Sequence, residues 1–258
     1  AAPDRTGASA RVLGSGPVST DTAPMSGIER EAADVATELG PAWRRVTRGE
    51  QRWQPSLAVL VMIVLQLRLR TELPPIAAWS LPVLELVLLV VLLAVNPLRI
   101  DRDRPALRAV SLALIAAASL FNALSVVVLV RQLVDGTFPG SSPGELLGAG
   151  ANVWVTNVIV FSLWYWELDR GGPGARAQAT DPDPDFLFPQ MADQSGDYHH
   201  WEPTFVDYLY VAFTNAAAFS PTDTMPLSRW AKLTMMLQSV VSLVTAALVI
   251  ARAINILH

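Results

Sequence analysis

Residues 109–130 read AVSLALIAAASLFNALSVVVLV, and no charged side chain interrupts them. A helix needs about 20 consecutive apolar residues to cross the hydrocarbon core of a bilayer. The apolar segment around this stretch, residues 106–133, is longer than that, and mainly Asn122 and small polar groups dilute its middle. The sequence therefore predicts a membrane-spanning helix at this position.

Four further apolar segments surround this one, and they differ in how well they fit a bilayer. Residues 75–96 and 230–257 are long enough to span it. Residues 153–166 end in an aromatic run of the kind found at membrane–water interfaces. Residues 56–69 are short and contain a glutamine and an arginine, so they would span only with their polar ends at the interface. The predicted fold class is an all-α integral membrane protein with four or five transmembrane helices.

The composition agrees with a membrane protein and excludes several classes of site. Of the 258 residues, 52% are hydrophobic and only 16% are charged, whereas soluble domains have about 25% charged residues. The chain has no cysteine, which excludes disulfides and thiolate metal sites. A net charge of -4 argues against a nucleic-acid partner. The adjacent His199 and His200 lack the spacing of metal ligands, so we expect no metal site, no cofactor and no enzymatic activity.

Composition divides the chain into four parts. Residues 1–52 form an N-terminal arm, in which a tail predicted to be disordered precedes a short cytoplasmic or interfacial helix from Ser26 to Gly40. The arm lacks the apolar region of a secretory signal peptide, so insertion is expected to rely on the internal spans. Residues 53–168 are the predicted transmembrane bundle. Residues 169–203 form an acidic loop rich in Gly and Pro, which is either simply solvated or concentrates cations, and residues 204–258 follow it.

Residues 204–219 are aromatic and apolar but too short to cross a bilayer as a helix. Thr204 is suited to start a helix, with Asp207 in its first turn, and Pro221 cannot continue it. A half-length helix followed by extended backbone and a full span is a re-entrant element. Such backbone occurs at membrane depth only inside protein or beside a water-filled cavity. The sequence therefore predicts one re-entrant segment before the last helix.

The run YLYVAFTN at residues 208–215 is similar to the pore helix of potassium channels. After the filter, those channels have an Asp, a Pro three residues later, and then an aromatic, a small and a basic residue. Asp223, Pro226 and residues 230–232 (WAK) match this order without a gap. These residues resemble the pore domain of the potassium-channel superfamily. The resemblance implies a filter, an inner helix and a homotetramer, because four loops build one pore; it also implies two pore-helix candidates, Thr214 and Asn215.

The filter signature of those channels, Thr-Val-Gly-Tyr-Gly, is replaced here by AFSPT at residues 218–222. Ser220 and Thr222 stand where glycine reaches positive φ without steric cost, and Pro221 fixes its own φ. A queue of backbone carbonyls of the potassium type is therefore not expected. The resemblance, with this change, implies weakly selective cation passage or none. The candidate filter and pore-lining residues are Ala218, Phe219, Ser220, Pro221, Thr222 and Asp223.

Two further candidates lie within the apolar segments. Ser239 and Ser242 form, with a following alanine, a stripe of small residues at helical spacing in the inner helix, which would either line a cavity or permit close helix packing. Glu85 lies near the middle of the second segment, where a charge costs about 2.5–3.5 kcal/mol. We expect it to face the bundle interior, protonated or partnered by a residue such as Asn122 or Asn157.

These features together predict a cation-channel-like membrane protein related to potassium channels. Its expected partners are the lipid bilayer, monovalent cations and three further copies of the chain. Its expected location is the plasma (inner) membrane of a bacterium. Two alternatives stay open: a non-conducting membrane scaffold or sensor that keeps the pore-domain fold, and a proton-coupled transporter that uses Glu85.

The arginines conflict with the resemblance over orientation. Clusters in residues 44–52 and 99–108 both favour the cytoplasmic side. With five spans, this rule puts the re-entrant segment on the cytoplasmic side, whereas potassium channels have it outside. Removing residues 56–69 as a span moves the segment outside but leaves the second arginine cluster there too.

Overall fold

Helices make up most of the part of the chain that the computed structural model describes, which comprises residues 41–69, 75–95, 98–102, 104–138, 142–193, 197–217 and 223–257. These residues belong to one compact unit, Gly40–His258. The tail and the helix expected before residue 41 lie outside the described residues. The all-α prediction is confirmed to the extent that the strands here are only two residues long.

The bounds of the long helices follow four of the five apolar segments closely. The long helices are α1 (Trp53–Leu69), α2 (Pro75–Val95), α3 (Pro105–Asp135), α4 (Pro143–Leu168) and α8 (Arg229–Leu257), and the shorter ones are α5 (Pro173–Ala177), α6 (Pro189–Ala192) and α7 (Phe205–Ala217). Two antiparallel pairs join β1 (Glu50–Gln51) to β2 (Arg99–Ile100) and β3 (Phe186–Leu187) to β4 (Met225–Pro226). Within the described residues, three helical segments are long and apolar enough to cross a membrane: Pro105–Asp135, Pro143–Gly171 and Arg229–Asn255.

The fourth apolar segment, predicted at residues 153–166, is a helix that begins ten residues earlier. Pro143 occupies its first turn, where a missing N–H is harmless, and the Ser142 side chain accepts a hydrogen bond from the Glu145 N–H. The glycines at 144, 148 and 150 lower the hydropathy of the first ten residues, so the apolar pattern did not predict this part of the helix. The small side chains allow close packing, since a Cβ on Gly150 would lie 2.7 Å from Val249 Cγ2 of α8.

The two ends of the helix bundle are built differently. At one end, which we call the capped end, polar contacts join the termini of α1, α2, α4 and α8. Arg52 N donates to Leu98 O at 3.2 Å, and Trp166 Nε1 donates to Glu50 Oε2 at 2.6 Å. At the opposite end, the end of α3, the start of α4 and the end of α8 pack through apolar side chains: Leu129, Leu133, Leu146, Val153, Val249 and Ala253.

Residues 169–193 and 197–203, the described part of the predicted acidic loop, form a folded segment that we call the cap. The cap contains α5, α6 and β3, and it buries Phe186 and Phe188 against aromatic side chains of the bundle. Its acidic residues differ in exposure to solvent: Asp181 and Asp183 are exposed, whereas Asp169 is fully buried. The Asp169 Oδ1 atom accepts hydrogen bonds from two backbone N–H groups of the segment leading into β3, which holds the cap in place.

α4 is the central helix of the bundle. It packs against α1, α3, α7 and α8, and the half-length α7 lies against both α4 and α8. The main hydrophobic core follows these contacts from α1 to the start of α8. The helical part of the segment predicted to be re-entrant is therefore held by α4 and α8.

Candidate functional site

The site predicted from sequence centres on α7. The helix begins at Phe205, and Asp207 Oδ2 accepts hydrogen bonds from Thr204 N at 2.7 Å and from Thr204 Oγ1 at 3.0 Å. This is half of a capping box, because the Asp207 N–H donates to the Thr204 carbonyl and not to the Thr204 side chain. The expected helix start at Thr204 with Asp207 in the first turn is confirmed.

α7 is amphipathic across its 13 residues. One face is buried against α4 and α8 and comprises Phe205, Tyr208, Val211, Ala212 and Ala216. The other face leaves Val206, Tyr210 and Phe213 about half exposed, although Phe213 contacts the Trp154 ring of α4 edge-on. An exposed face this apolar points to lipid or to another protein surface rather than to water.

Asn215 ties the end of α7 to α8. Its Nδ2 donates to Met235 O at 2.9 Å and to Gln238 Oε1 at 2.8 Å, and its Oδ1 accepts from Ser239 Oγ at 3.0 Å. The other pore-helix candidate, Thr214, instead donates back to carbonyl groups of its own helix. Of the two candidates, only Asn215 positions α7 through its side chain.

Gln238 is the residue at this site that sequence reasoning missed. It is fully buried, its Nε2 donates to Ala212 O of α7 at 2.8 Å, and its Oε1 accepts from Asn215 and from Tyr165 Oη of α4 at 2.7 Å. It therefore joins three helices. The available signal was a glutamine in the middle of an otherwise apolar span, since such a group needs partners in the bundle.

The small-residue stripe of the inner helix faces into the bundle. Ser242 is buried and accepts from Asn157 Nδ2 of α4 at 3.0 Å, while Ser239 is half-buried against Asn215. Asn157 in turn accepts from Asn122 Nδ2 of α3 at 3.0 Å. In the single chain the two serines thus take part in helix packing, which was one of the two alternatives for the stripe.

The filter candidates Ala218, Phe219, Ser220, Pro221 and Thr222 lie outside the described residues. Asp223 directly follows them and is exposed at the capped end, where Tyr210 Oη donates to its Oδ2 at 3.5 Å. Since α7 starts at the capped end and α8 also starts there, the chain enters and leaves the bundle at the same end.

Glu85 is fully buried, and its Oε1 accepts a hydrogen bond from Gln66 Nε2 of α1 at 3.2 Å. The partners expected from sequence were Asn122 and Asn157, which instead bond to each other. Glu85 Oε2 and Gln66 Oε1 have no partner in the described part of the chain. A proton on the carboxyl would supply the donor that these two oxygens lack.

A second polar cluster, also missed by sequence reasoning, attaches the cap to α7. Arg176 of α5 forms a buried ion pair with Glu50 of β1 at 2.6 Å and donates to the Asp169 carbonyl at 2.8 Å. Tyr208 Oη of α7 donates to Asp169 Oδ2 at 2.6 Å. Burial raises the pKa of Glu50 above its ordinary value, and the positive charge of Arg176 acts in the opposite direction. The members lie far apart in the chain, so no local motif could reveal them.

Comparisons with protein-family models, with curated proteins and with solved structures found no significant match to this chain.

Proposed function

We propose that this chain is embedded in a membrane and that four copies assemble a cation pathway related to that of potassium channels. In this proposal α4 is the outer helix, α7 the pore helix and α8 the inner helix. Residues 218–223 of each copy meet at the axis. The departures from the potassium filter make the pathway weakly selective or closed.

The observation that carries the proposal is the half-length α7, held between α4 and α8. α7 is too short to span a bilayer at about 1.5 Å per residue, and its last polar residue is fastened to α8 through Gln238. The next described residue, Asp223, lies at the end where α7 began. A helix that stops within the apolar layer and returns is what a pore loop requires.

The outer surface of α8 is available for contacts between copies of the chain. Eight large apolar side chains along its length are more than 40% exposed in the single chain: Leu233, Met236, Leu237, Val240, Leu243, Val244, Ile250 and Ile254. In a bilayer this face would contact lipid or neighbouring copies. Where this face lines the proposed pathway, the pathway is apolar. An apolar pathway conducts weakly or is closed by dewetting.

The first test is the mass of the nanodisc-solubilised particle by native mass spectrometry. Four copies per particle would support the shared pore. A stable monomer or dimer would contradict it, because fewer than four loops cannot build a filter of this type.

The second test restores the filter. In proteoliposomes, the double variant Ser220→Gly/Thr222→Gly should gain potassium flux over the parent chain, because glycine permits the carbonyl geometry that Ser and Thr oppose. The control Thr137→Gly changes an exposed residue after α3, away from the proposed filter, and should not change flux. If the tetramer forms but the double variant stays closed, the scaffold or sensor function replaces conduction.

A second candidate function, proton-coupled transport, is favoured by the buried Glu85–Gln66 pair. An intramembrane carboxyl can take up and release a proton, and Glu85 Oε2 has no hydrogen-bond partner among the described residues. The variant Glu85→Gln should abolish proton-dependent flux of the proteoliposomes while leaving the particle folded. An unchanged proton dependence would remove Glu85 from any transport mechanism.

A further inference from the structure

A pocket at the capped end is lined by four arginines from separate parts of the chain. Arg102 and Arg104 precede α3, Arg108 lies in its first turns, and Arg52 precedes α1. The opposite wall is formed by Glu167 of α4 and by residues 171–174 of the cap.

The charges in this pocket do not balance. Glu167 is the acidic residue of its lining, and Glu167 Oε2 already accepts a hydrogen bond from Ser111 Oγ at 2.9 Å. Within the described ranges, no carboxylate oxygen lies within 4.0 Å of a side-chain nitrogen of Arg102, Arg104 or Arg108. Four arginines and one glutamate therefore line this concave surface, and this excess of positive charge favours a positive potential in the pocket.

The pocket also contains unused hydrogen-bond donors. Arg108 Nε is buried and has no acceptor among the described residues. The first turn of α3 has no side-chain cap, since Arg104 at its N-cap makes no capping hydrogen bond. Buried donors without acceptors are rare in folded proteins. Arg52 differs from the other arginines, because its Nη1 donates to Leu92 O at 2.6 Å and so supports the fold.

We propose that this pocket binds a phosphate group, with Arg102, Arg104 and Arg108 as its ligands. Guanidinium groups pair with phosphate oxygens through two parallel N–H donors, and Arg is suited to this task by its planar fork. The pocket lies where the start of α1, the start of α3 and the end of α4 meet, which is the level of the lipid headgroups if the bundle crosses a bilayer. The phosphate of an anionic phospholipid is therefore the occupant that the position favours, and a free phosphate compound shares the same chemistry.

The site is independent of the proposed pore. It requires neither four copies nor an open filter, so a failure of conduction leaves this inference standing. Conversely, an empty pocket would leave the pore proposal unchanged.

The experiment measures lipid binding by the full chain in nanodiscs. Native mass spectrometry compares discs of phosphatidylcholine alone with discs that also contain phosphatidylglycerol. The pocket variant Arg102→Gln/Arg104→Gln/Arg108→Gln is compared with the control Arg68→Gln/Arg131→Gln/Arg229→Gln, which removes the same charge from three exposed arginines outside the pocket. We expect phosphatidylglycerol to stay bound to the parent and the control, and to bind the pocket variant about a hundredfold more weakly.

Two further measurements distinguish a lipid from a soluble ligand and provide for a triple variant that does not fold. Titration calorimetry of the detergent-solubilised chain with inorganic phosphate and with pyrophosphate tests binding of the free anions. If these anions bind in an arginine-dependent manner and the lipid does not, the pocket is a phosphate site whose ligand is soluble. If the triple variant does not fold, the single variant Arg104→Gln, which alters an exposed side chain, should still weaken binding several-fold. Equal binding of lipid and phosphate by the parent, the pocket variant and the control would overturn the proposal.

Discussion

At the scale of single residues, the buried ion pair between Arg176 and Glu50 is the most sensitive contact of the cap. The variant Arg176→Met would leave the buried Glu50 carboxylate without its ion-pair partner and with only the Trp166 Nε1 hydrogen bond, and breaking a buried ion pair typically costs about 3–5 kcal/mol. We expect a lower unfolding temperature in nanodiscs, followed by the circular dichroism of the helices. The control Arg229→Met removes an exposed arginine at the same end and should change stability by less than about 0.5 kcal/mol.

The same variant should have a characteristic pH dependence. Burial raises the pKa of Glu50, and removal of Arg176 takes away the charge that opposes this rise. A carboxyl whose folded-state pKa exceeds its unfolded value contributes stability below the unfolded pKa and loses it as pH rises through the folded pKa. The deficit of Arg176→Met relative to the parent chain should therefore be smaller at low pH, where the Glu50 carboxyl is protonated in both folded chains, than at high pH, where it is ionised in both. A deficit that is the same at both ends of the titration would show that the loss comes from packing and not from the Glu50 charge.

At the scale of elements, the contact between α4 and α8 depends on a missing side chain. Gly150 lets Val249 approach so closely that a Cβ would lie 2.7 Å from its Cγ2. We expect Gly150→Leu to separate the two helices and to destabilise the fold by about 1–3 kcal/mol, as overpacking usually does. Gly148→Leu is the matched control, because nothing lies within 4 Å of a Cβ there. The double variant Gly150→Leu/Val249→Ala should recover part of the loss; complete additivity would contradict a direct contact.

The attachment of α7 to α8 gives a second prediction at this scale. The variant Gln238→Met would leave the Ala212 carbonyl, Tyr165 Oη and Asn215 Nδ2 short of a partner. Buried polar groups that lose their partner cost about 1–3 kcal/mol each, so thermal unfolding should show a larger loss than for Ser239→Ala, which removes one donor. If the pore proposal holds, any flux through the parent chain should also fall, because α7 would no longer be held in place. Equal unfolding temperatures for the two variants would contradict the central position of Gln238.

At the scale of the whole molecule, the structure sharpens the conflict over orientation. Both arginine clusters, the cap and the start of α7 lie at the capped end. The arginine rule puts that end in the cytoplasm, whereas the resemblance to potassium channels puts it outside. The chain has no cysteine, so single cysteines report sidedness without interference. The pore proposal predicts that Asp183→Cys in the cap is labelled from outside the cell by a membrane-impermeant maleimide.

The matched variant Asp135→Cys, at the end of α3, should be labelled only after the membrane is opened. Asp183 and Asp135 lie at opposite ends of the bundle and are both exposed. Labelling of Asp135→Cys alone from outside would place the pore-like loop on the cytoplasmic side, against the potassium-channel orientation. Labelling of both from outside would contradict a bundle that crosses the membrane.

The sequence by itself determined the positions of the long helices and of α7. Apolar segments of sufficient length predict long helices, and the half-length α7 follows from a helix start at Thr204 and a proline at 221. These are local properties, because a helix forms from its own backbone hydrogen bonds and its length is limited by nearby residues. The start of α4 was missed for the same reason, since its glycines are weak helix formers when only the local sequence is considered.

Only the tertiary structure decided which polar groups meet. Glu50 and Arg176 are 126 residues apart, and Glu85 bonds to Gln66 rather than to the asparagines expected from sequence. The rotation of each helix about its axis selects these partners, and rotation depends on how several helices pack at once. The acidic composition of residues 169–203 likewise could not reveal a folded cap, because a carboxylate such as Asp169 is stable in the interior only when distant donors converge on it.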